Sequence, residues 1–214
     1  MEFKFIGNAG GIFRGSEGTK ILCDPWIIDG VFESAWYHYP PLKTKIQDLQ
    51  NVDGIYVSHI HPDHYDDRYF NFPKDIPLII LNEAPNFLKK NLINKGYNNF
   101  IEIKNDQTVQ FKEFKLTSYK PFTKHIFEES LLGNLIDSAL VLENDGTTAI
   151  NFNDNQPDEN ACIFLKNKFK KIDLAMLNYN AAGPYPSCFD NLTEEEKINE
   201  IKRILKRNFD HLCN

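Results

Sequence analysis

Two β-sheets packed face to face, with helices on their outer sides, is the fold class that this sequence predicts. Three observations carry the prediction. Short apolar runs separated by glycine turns fill the first part of the chain. Beyond them, blocks of strands alternate with single helices, a pattern that two packed sheets accommodate. With 214 residues, the chain is long enough for one domain with a substantial core.

The first strands read as an antiparallel meander. In residues 3–6, Phe3 and Phe5 alternate with Glu2 and Lys4, the period of a strand. Residues 11–14 and 20–23 are the next two apolar runs. Asn8-Ala9-Gly10-Gly11 and Gly15-Ser16-Glu17-Gly18 mark the turns between them. Residues 55–57, Ile55-Tyr56-Val57, form a short strand, and Leu78-Ile79-Ile80-Leu81 has the length of a buried one. Residues 85–95 predict a helix. Pro85 suits its first turn, Leu88, Leu92 and Ile93 make an apolar face, and Gly96 stops it. Strands return at 100–103, 109–111 and 114–119. Asn144-Asp145-Gly146 joins 138–143 to 147–152 as a hairpin, because Asp-Gly suits the tight turn. Residues 158–169 read as a helix and 173–179 as a strand. Thr193-Glu194-Glu195-Glu196 is a capping box that opens a last helix, with Ile198, Ile201, Leu205 and Leu212 on one side.

Composition narrows the function. Hydrophobic residues at 42% and charged residues at 25% describe a soluble globular protein. A net charge of -6 argues against nucleic acid as a partner, since phosphate binding needs clustered Lys and Arg. No apolar stretch is long enough to span a membrane. The start, Met1-Glu2-Phe3-Lys4, lacks a secretory pattern, so the cytoplasm is the expected location. Cys23, Cys162, Cys188 and Cys213 are scattered without a Cys-x-x-Cys pair, which leaves reduced, packed thiols as the expectation and Cys188 as the best placed for ligation.

The most informative stretch is Ser58-His59-Ile60-His61-Pro62-Asp63-His64. Three of the six histidines and one carboxylate fall within six residues. A strand puts positions i and i+2 on one side, so His59 and His61 can address one metal. Pro62 keeps His61 extended. Beyond it the chain can turn, and Asp63 with His64 can face a second ion. Imidazole and carboxylate suit zinc, and also iron or manganese. Two such ions, about 3.5–4 Å apart, can hold a bridging hydroxide and polarise a scissile group.

His-x-His-x-Asp-His at the end of a strand resembles the signature of the metallo-β-lactamase fold superfamily. The resemblance covers nearly the whole chain and implies a four-layer αββα sandwich with two mixed sheets in a single domain, residues 1–214. It implies His59, His61 and His125 as ligands of a first metal, Asp63 and His64 of a second, and Asp154 as the bridge. Asp24, in Leu22-Cys23-Asp24-Pro25-Trp26, resembles the acidic residue after the third strand that supports the metal loop. Residues 56–67 and 178–186 look like the branch that includes ascorbate-6-phosphate lactonases and the metallo-β-lactamase-like part of CMP-N-acetylneuraminate hydroxylases.

Two departures stand out. A Rieske centre needs Cys-x-His and Cys-x-x-His, and neither occurs here. The resemblance also implies a final metal-binding histidine on a strand after the last helix, whereas His211 falls within the predicted helix. This leads to the expectation of an incomplete second site or of a chain shortened at its C-terminus.

The reading is a metal-dependent hydrolase, with two zinc ions if the site is complete. A metal-bound hydroxide is the expected nucleophile, because no separate one is evident. Asp63 would double as a proton acceptor or donor. The substrate would be an ester, lactone or phosphodiester of a small, sugar-derived metabolite. The alternative is a catalytically weak metal-binding domain or a fragment of a larger sialic-acid-type enzyme. Trp36-Tyr37-His38-Tyr39-Pro40-Pro41 and residues 178–186 are candidate walls of a substrate mouth.

Overall fold

The computed structural model describes residues 1–122, 137–178 and 185–213, with backbone alone over 207–213. Among the described residues, eleven strands form two sheets. The first contains β1 (Glu2–Gly7), β2 (Gly10–Arg14), β3 (Lys20–Cys23), β4 (Gly54–Tyr56), β5 (Leu78–Leu81) and β6 (Phe100–Ile103), side by side in that order. The predicted meander is β1–β3, which pair antiparallel. From β3 to β6 the pairing is parallel. The second sheet runs β11-β10-β9-β8-β7. Its members are β7 (Gln107–Phe111), β8 (Phe114–Tyr119), β9 (Ala139–Asn144), β10 (Thr147–Asn151) and β11 (Leu174–Met176). Only β10 and β11 pair parallel there.

Alternation along each strand builds the layers. Ile21, Tyr56 and Ile79 of the first sheet point inward and meet Phe114, Leu116, Leu140 and Leu142 of the second. The next residues along, Leu22, Ile55, Leu78 and Ile80, point outward and pack on Leu88 and Leu92 of helix α1 (Phe87–Asn94). On the other side Val141 and Ile150 pack on Leu165 of helix α2 (Glu159–Phe169). The order is helix, sheet, sheet, helix. The central strands are covered on both faces, which is why they read as unbroken apolar runs.

Local signals set the element ends. Asn86 caps α1 by accepting from Lys89 N at 2.8 Å. This corrects the expectation that Pro85 opens the first turn: the cap competes for that position, and Pro85 lies before it. Gly96, at φ 86°, ends the helix as expected. Asp158 caps α2 through Ala161 N at 2.8 Å. Asp145 and Gly146, at φ 49° and 69°, form the β9–β10 turn. Helix α3 (Glu194–Cys213) starts with the predicted box. Thr193 N donates to Glu196 Oε2 at 2.8 Å, and Glu196 N donates to Thr193 Oγ1 at 3.3 Å. His211 lies within this helix.

Candidate metal centre

The site forms where β3, β4 and β10 end and β9 begins. The parallel β3–β4 pair brings Asp24 beside the loop that follows β4. Antiparallel β9 and β10 put Asp137, before one strand, near Asp154, after the other. The His61 carbonyl accepts from both His64 N, at 2.9 Å, and Tyr65 N, at 2.8 Å. That turn folds Asp63 and His64 back under residues 59–61, which lie in a loop beyond β4 with bends at Ile60 and His61 and not on the strand that the spacing predicts, because β4 already ends at Tyr56.

The side chains then converge. His59 Nε2 is 2.7 Å from His61 Nδ1. His64 Nε2 is 3.5 Å from Asp63 Oδ2 and 3.5 Å from Asp154 Oδ2. One ligand atom each from His59, His64 and Asp154 lies within 4.8 Å of the others. Both imidazoles are buried, whereas the Asp154 side chain is 36% exposed, so the cluster opens outward on that side. Of the six residues expected from the sequence, His59, His61, Asp63, His64 and Asp154 come together. His125 lies outside the described residues.

A buried scaffold orients these groups. Asp24 is fully buried and sits at φ 37°, a backbone region that costs energy for a non-glycine residue. Its Oδ1 accepts from Ser58 N at 2.8 Å, and its Oδ2 lies 3.2 Å from His64 Nδ1. This is the supporting position expected of it. The contacts of four further residues escaped sequence reasoning, although Ser58 and Asn178 lie in stretches that it singled out. Ser58 Oγ lies 2.9 Å from His59 Nδ1 and 3.3 Å from His64 Nδ1. Asp137 Oδ1 lies 2.5 Å from His59 Nδ1. Asn178 Nδ2 donates to Asp154 Oδ1 at 2.9 Å. Ser138 ties the two sheets: its N and Oγ donate to Ser58 O at 3.3 and 2.9 Å, and its own carbonyl accepts from the Tyr56 hydroxyl at 2.8 Å. The available signal was position alone, polar residues at the ends of predicted strands.

Electrostatics separate the two buried histidines. Burial, reinforced by His64 and His61, pushes the His59 pKa well below its ordinary value, so the ring is neutral and has a lone pair to give. Burial acts the same way on His64, but Asp24, Asp154 and Asp63 outweigh it and favour positive charge there. Burial raises Asp154 while the hydrogen bond and charge of His64 hold it far below the usual carboxylate range. Burial and the negative charge of Asp154 push Asp137 up to about 8. Imidazole nitrogens beside a surplus of carboxylates are a donor set that a divalent cation fits.

One candidate wall of the mouth is visible. Trp26, Trp36 and Phe32 cluster, with Phe32 and Trp36 ring centroids 4.8 Å apart. The turn after Gly30 carries Phe32 and Glu33 at φ 51° and 54° and brings the Phe32 ring edge-on to His61, at 6.3 Å. His38 pairs with Asp29, with Nδ1 2.8 Å from Oδ1, and its ring lies on Trp26 at 4.0 Å. Tyr37 and Tyr39 are exposed. Residues 179–184 of the other candidate wall lie outside the described residues, and Cys188 is exposed.

No known family model matches the chain. A protein of Mycolicibacterium smegmatis named "Putative Rieske 2Fe-2S iron-sulfur protein" is 32% identical over 197 residues. The match takes in 89% of this chain but 36% of that protein, so the chain spans about a third of the length of the curated relatives it matches. Among solved structures, one described as a possible metal-dependent hydrolase from Veillonella parvula superposes with a TM-score of 0.68 at 20% identity, covering 96% of this chain and 80% of that one. CmlA, a diiron β-hydroxylase from Streptomyces venezuelae, gives 0.62 at 14% identity, over 96% of this chain and 39% of that one. The metallo-β-lactamase fold protein YhfI from Bacillus subtilis gives 0.53 at 16% identity, over 80% of this chain and 64% of that one.

Proposed function

The chain has the metallo-β-lactamase fold, and on that premise we propose that it is a metal-dependent hydrolase. The observation that carries this reading is the convergence of His59, His61 and His64 with Asp63 and Asp154 at the open end of the two sheets. His59 and His61, with His125, would hold one ion; Asp63 and His64 would hold another, and Asp154 would bridge. Zinc is the first candidate, with iron or manganese also suited to these donors. When bound, such ions acidify water and polarise an ester, lactone or phosphodiester.

The chain's own groups do the rest. Asp24 and Ser58 keep His64 turned so that Nε2 faces Asp63 and Asp154. Asn178 fixes Asp154 through one oxygen and leaves the other on the His64 side. Asp63 is placed to take or give a proton during turnover. The aromatic group around Phe32 and Trp36 supports a small substrate packed beside His61, and the sequence favours a sugar-derived metabolite.

A second reading rests on the length comparison. Because the chain spans 36% of its relative, it could serve as the metal-bearing domain of a larger enzyme, weakly active by itself. No helix among the described residues is long and apolar enough to cross a membrane; the cytoplasm is the location proposed from the sequence.

Purified protein, loaded with zinc, is assayed on a model phosphodiester, a lactone and a carboxylic ester. Turnover that falls at least about a hundredfold in His59→Ala supports the hydrolase. Zinc bound without turnover of any of the three favours the second reading. Activity that survives His59→Ala places the chemistry elsewhere.

A further inference from the structure

We propose that Phe32 is the specificity-determining residue of the metal centre, selecting a substrate that carries an apolar alkyl or aryl group beside its scissile bond. The inference rests on the hydrolase reading above and narrows its substrate class.

The turn that carries Phe32 is costly. Phe32, Glu33 and Ser34 follow one another at φ 51°, 54° and 70°, left-handed backbone that a bulky aromatic residue adopts only under constraint. A turn needed for connection alone would be met by glycine or asparagine at such positions. Here the surroundings impose it. Gly30 N donates to Trp36 O at 2.8 Å, Trp36 N donates to Val31 O at 3.1 Å, and Asp29 Oδ1 accepts from His38 N at 2.8 Å. Glu33 and Ser34 then face solvent, while the Phe32 ring is half-buried against Trp36 and His61, with centroids 4.8 and 6.3 Å away. The ring is therefore an apolar surface that meets a metal-binding histidine. Asp63 and Asp154 approach His64 instead, so charged and apolar contacts fall on different histidines. In the rest of the wall the polar handles already have partners: Trp26 Nε1 donates to Ile28 O at 2.5 Å, and His38 Nδ1 pairs with Asp29. What this wall offers a substrate is ring surface, which favours an aryl or alkyl group over a fully hydroxylated one.

The test uses the whole chain, loaded with zinc. Two probes, acetohydroxamate and phenylacetohydroxamate, share one metal-binding head and differ in a phenyl group. Their affinities are read from tryptophan fluorescence, because both tryptophans of the chain, Trp26 and Trp36, belong to this wall. The readout is the ratio of the two affinities, which a general loosening of the metal site moves little. Wild type is expected to bind the phenyl probe about tenfold tighter. Phe32→Ala is expected to reduce that advantage to within about twofold, and Phe32→Leu to retain part of it. Phe32→Asn, which suits the left-handed backbone, gives the same readout should Phe32→Ala not fold. In turnover, wild type should prefer δ-decalactone, with its pentyl chain, to δ-valerolactone in kcat/KM, and Phe32→Ala should lose the preference through KM. Wild type that binds the two probes equally, or Phe32 variants without the ring that keep the phenyl advantage, overturns the proposal. A phenyl advantage that depends on Phe32, with no turnover of lactone, ester or phosphodiester, would instead sink the hydrolase reading and leave the wall as a ligand site. Protein that binds neither probe overturns both.

Discussion

At the scale of single residues, the chemistry turns on which nitrogen each histidine presents. His59 and His64 are both buried, yet their surroundings drive them in opposite directions: burial and neighbouring histidines keep His59 neutral, and three carboxylates favour charge on His64. Asp24 is the group most exposed to test. In Asp24→Ala, Ser58 N loses its acceptor and His64 loses its partner. An unsatisfied buried donor costs about 1–3 kcal/mol, so the urea midpoint should fall. Zinc affinity should fall about 10–100-fold as well. Asp24→Asn keeps an acceptor for Ser58 N and should retain more stability than affinity. Equal zinc binding in Asp24→Ala and wild type would remove Asp24 from the account. The histidine–aspartate cluster itself was legible, because His59, His61, Asp63 and His64 are neighbours in sequence, although β4 ends at Tyr56 and it is a loop beyond the strand, not the strand period, that brings His59 and His61 together. Ser58, Asp137 and Asn178 were not. Their roles arise from contacts made only once the two sheets close, and no spacing encodes them.

At the scale of elements, the caps and turns behave as local chemistry dictates. Asn86, Asp158 and Thr193 each satisfy a helix start within four residues; the Thr193 box reads directly from the sequence, whereas Asn86 is passed over for Pro85 and Asp158 reads as part of its helix. Strand pairing leaves no such local signal, since the parallel β3–β4 contact depends on a long crossover. Asp53 closes that crossover. Its Oδ2 accepts from Lys20 N at 2.8 Å, its N donates to Lys20 O at 2.9 Å, and it pairs with Lys112. Burial raises its pKa, but Lys112 and the Lys20 N–H outweigh that and hold it below the ordinary value. A carboxylate depressed in the folded state contributes stability that is present above its unfolded pKa, about 4, and is lost as pH falls through the folded value. Chemical denaturation at stepped pH should therefore show Asp53→Asn less stable than wild type at pH 7, by about 1 kcal/mol. The gap should narrow below about pH 4. A gap that stays constant with pH would mean that ionised Asp53 contributes nothing there.

At the scale of the whole molecule, the packed sheets hold the strand ends in register, and the site is a property of that packing. Leu140 is fully buried between the sheets, two residues after Ser138. Leu140→Ala should cost about 2–5 kcal/mol in equilibrium unfolding. It should also loosen zinc binding, because Ser138, which is clamped to the Ser58 carbonyl, leads directly into β9. Destabilisation without any change in zinc affinity would show that the site tolerates movement of β9. The most direct measurement for the central claim is metal content, determined by mass spectrometry on protein loaded with zinc and then desalted. About two ions per chain are expected for wild type, and one or none for His59→Ala and for Asp154→Ala. Wild-type protein that retains no metal, or variants that retain as much as wild type, would contradict the assignment of this cluster as a metal centre.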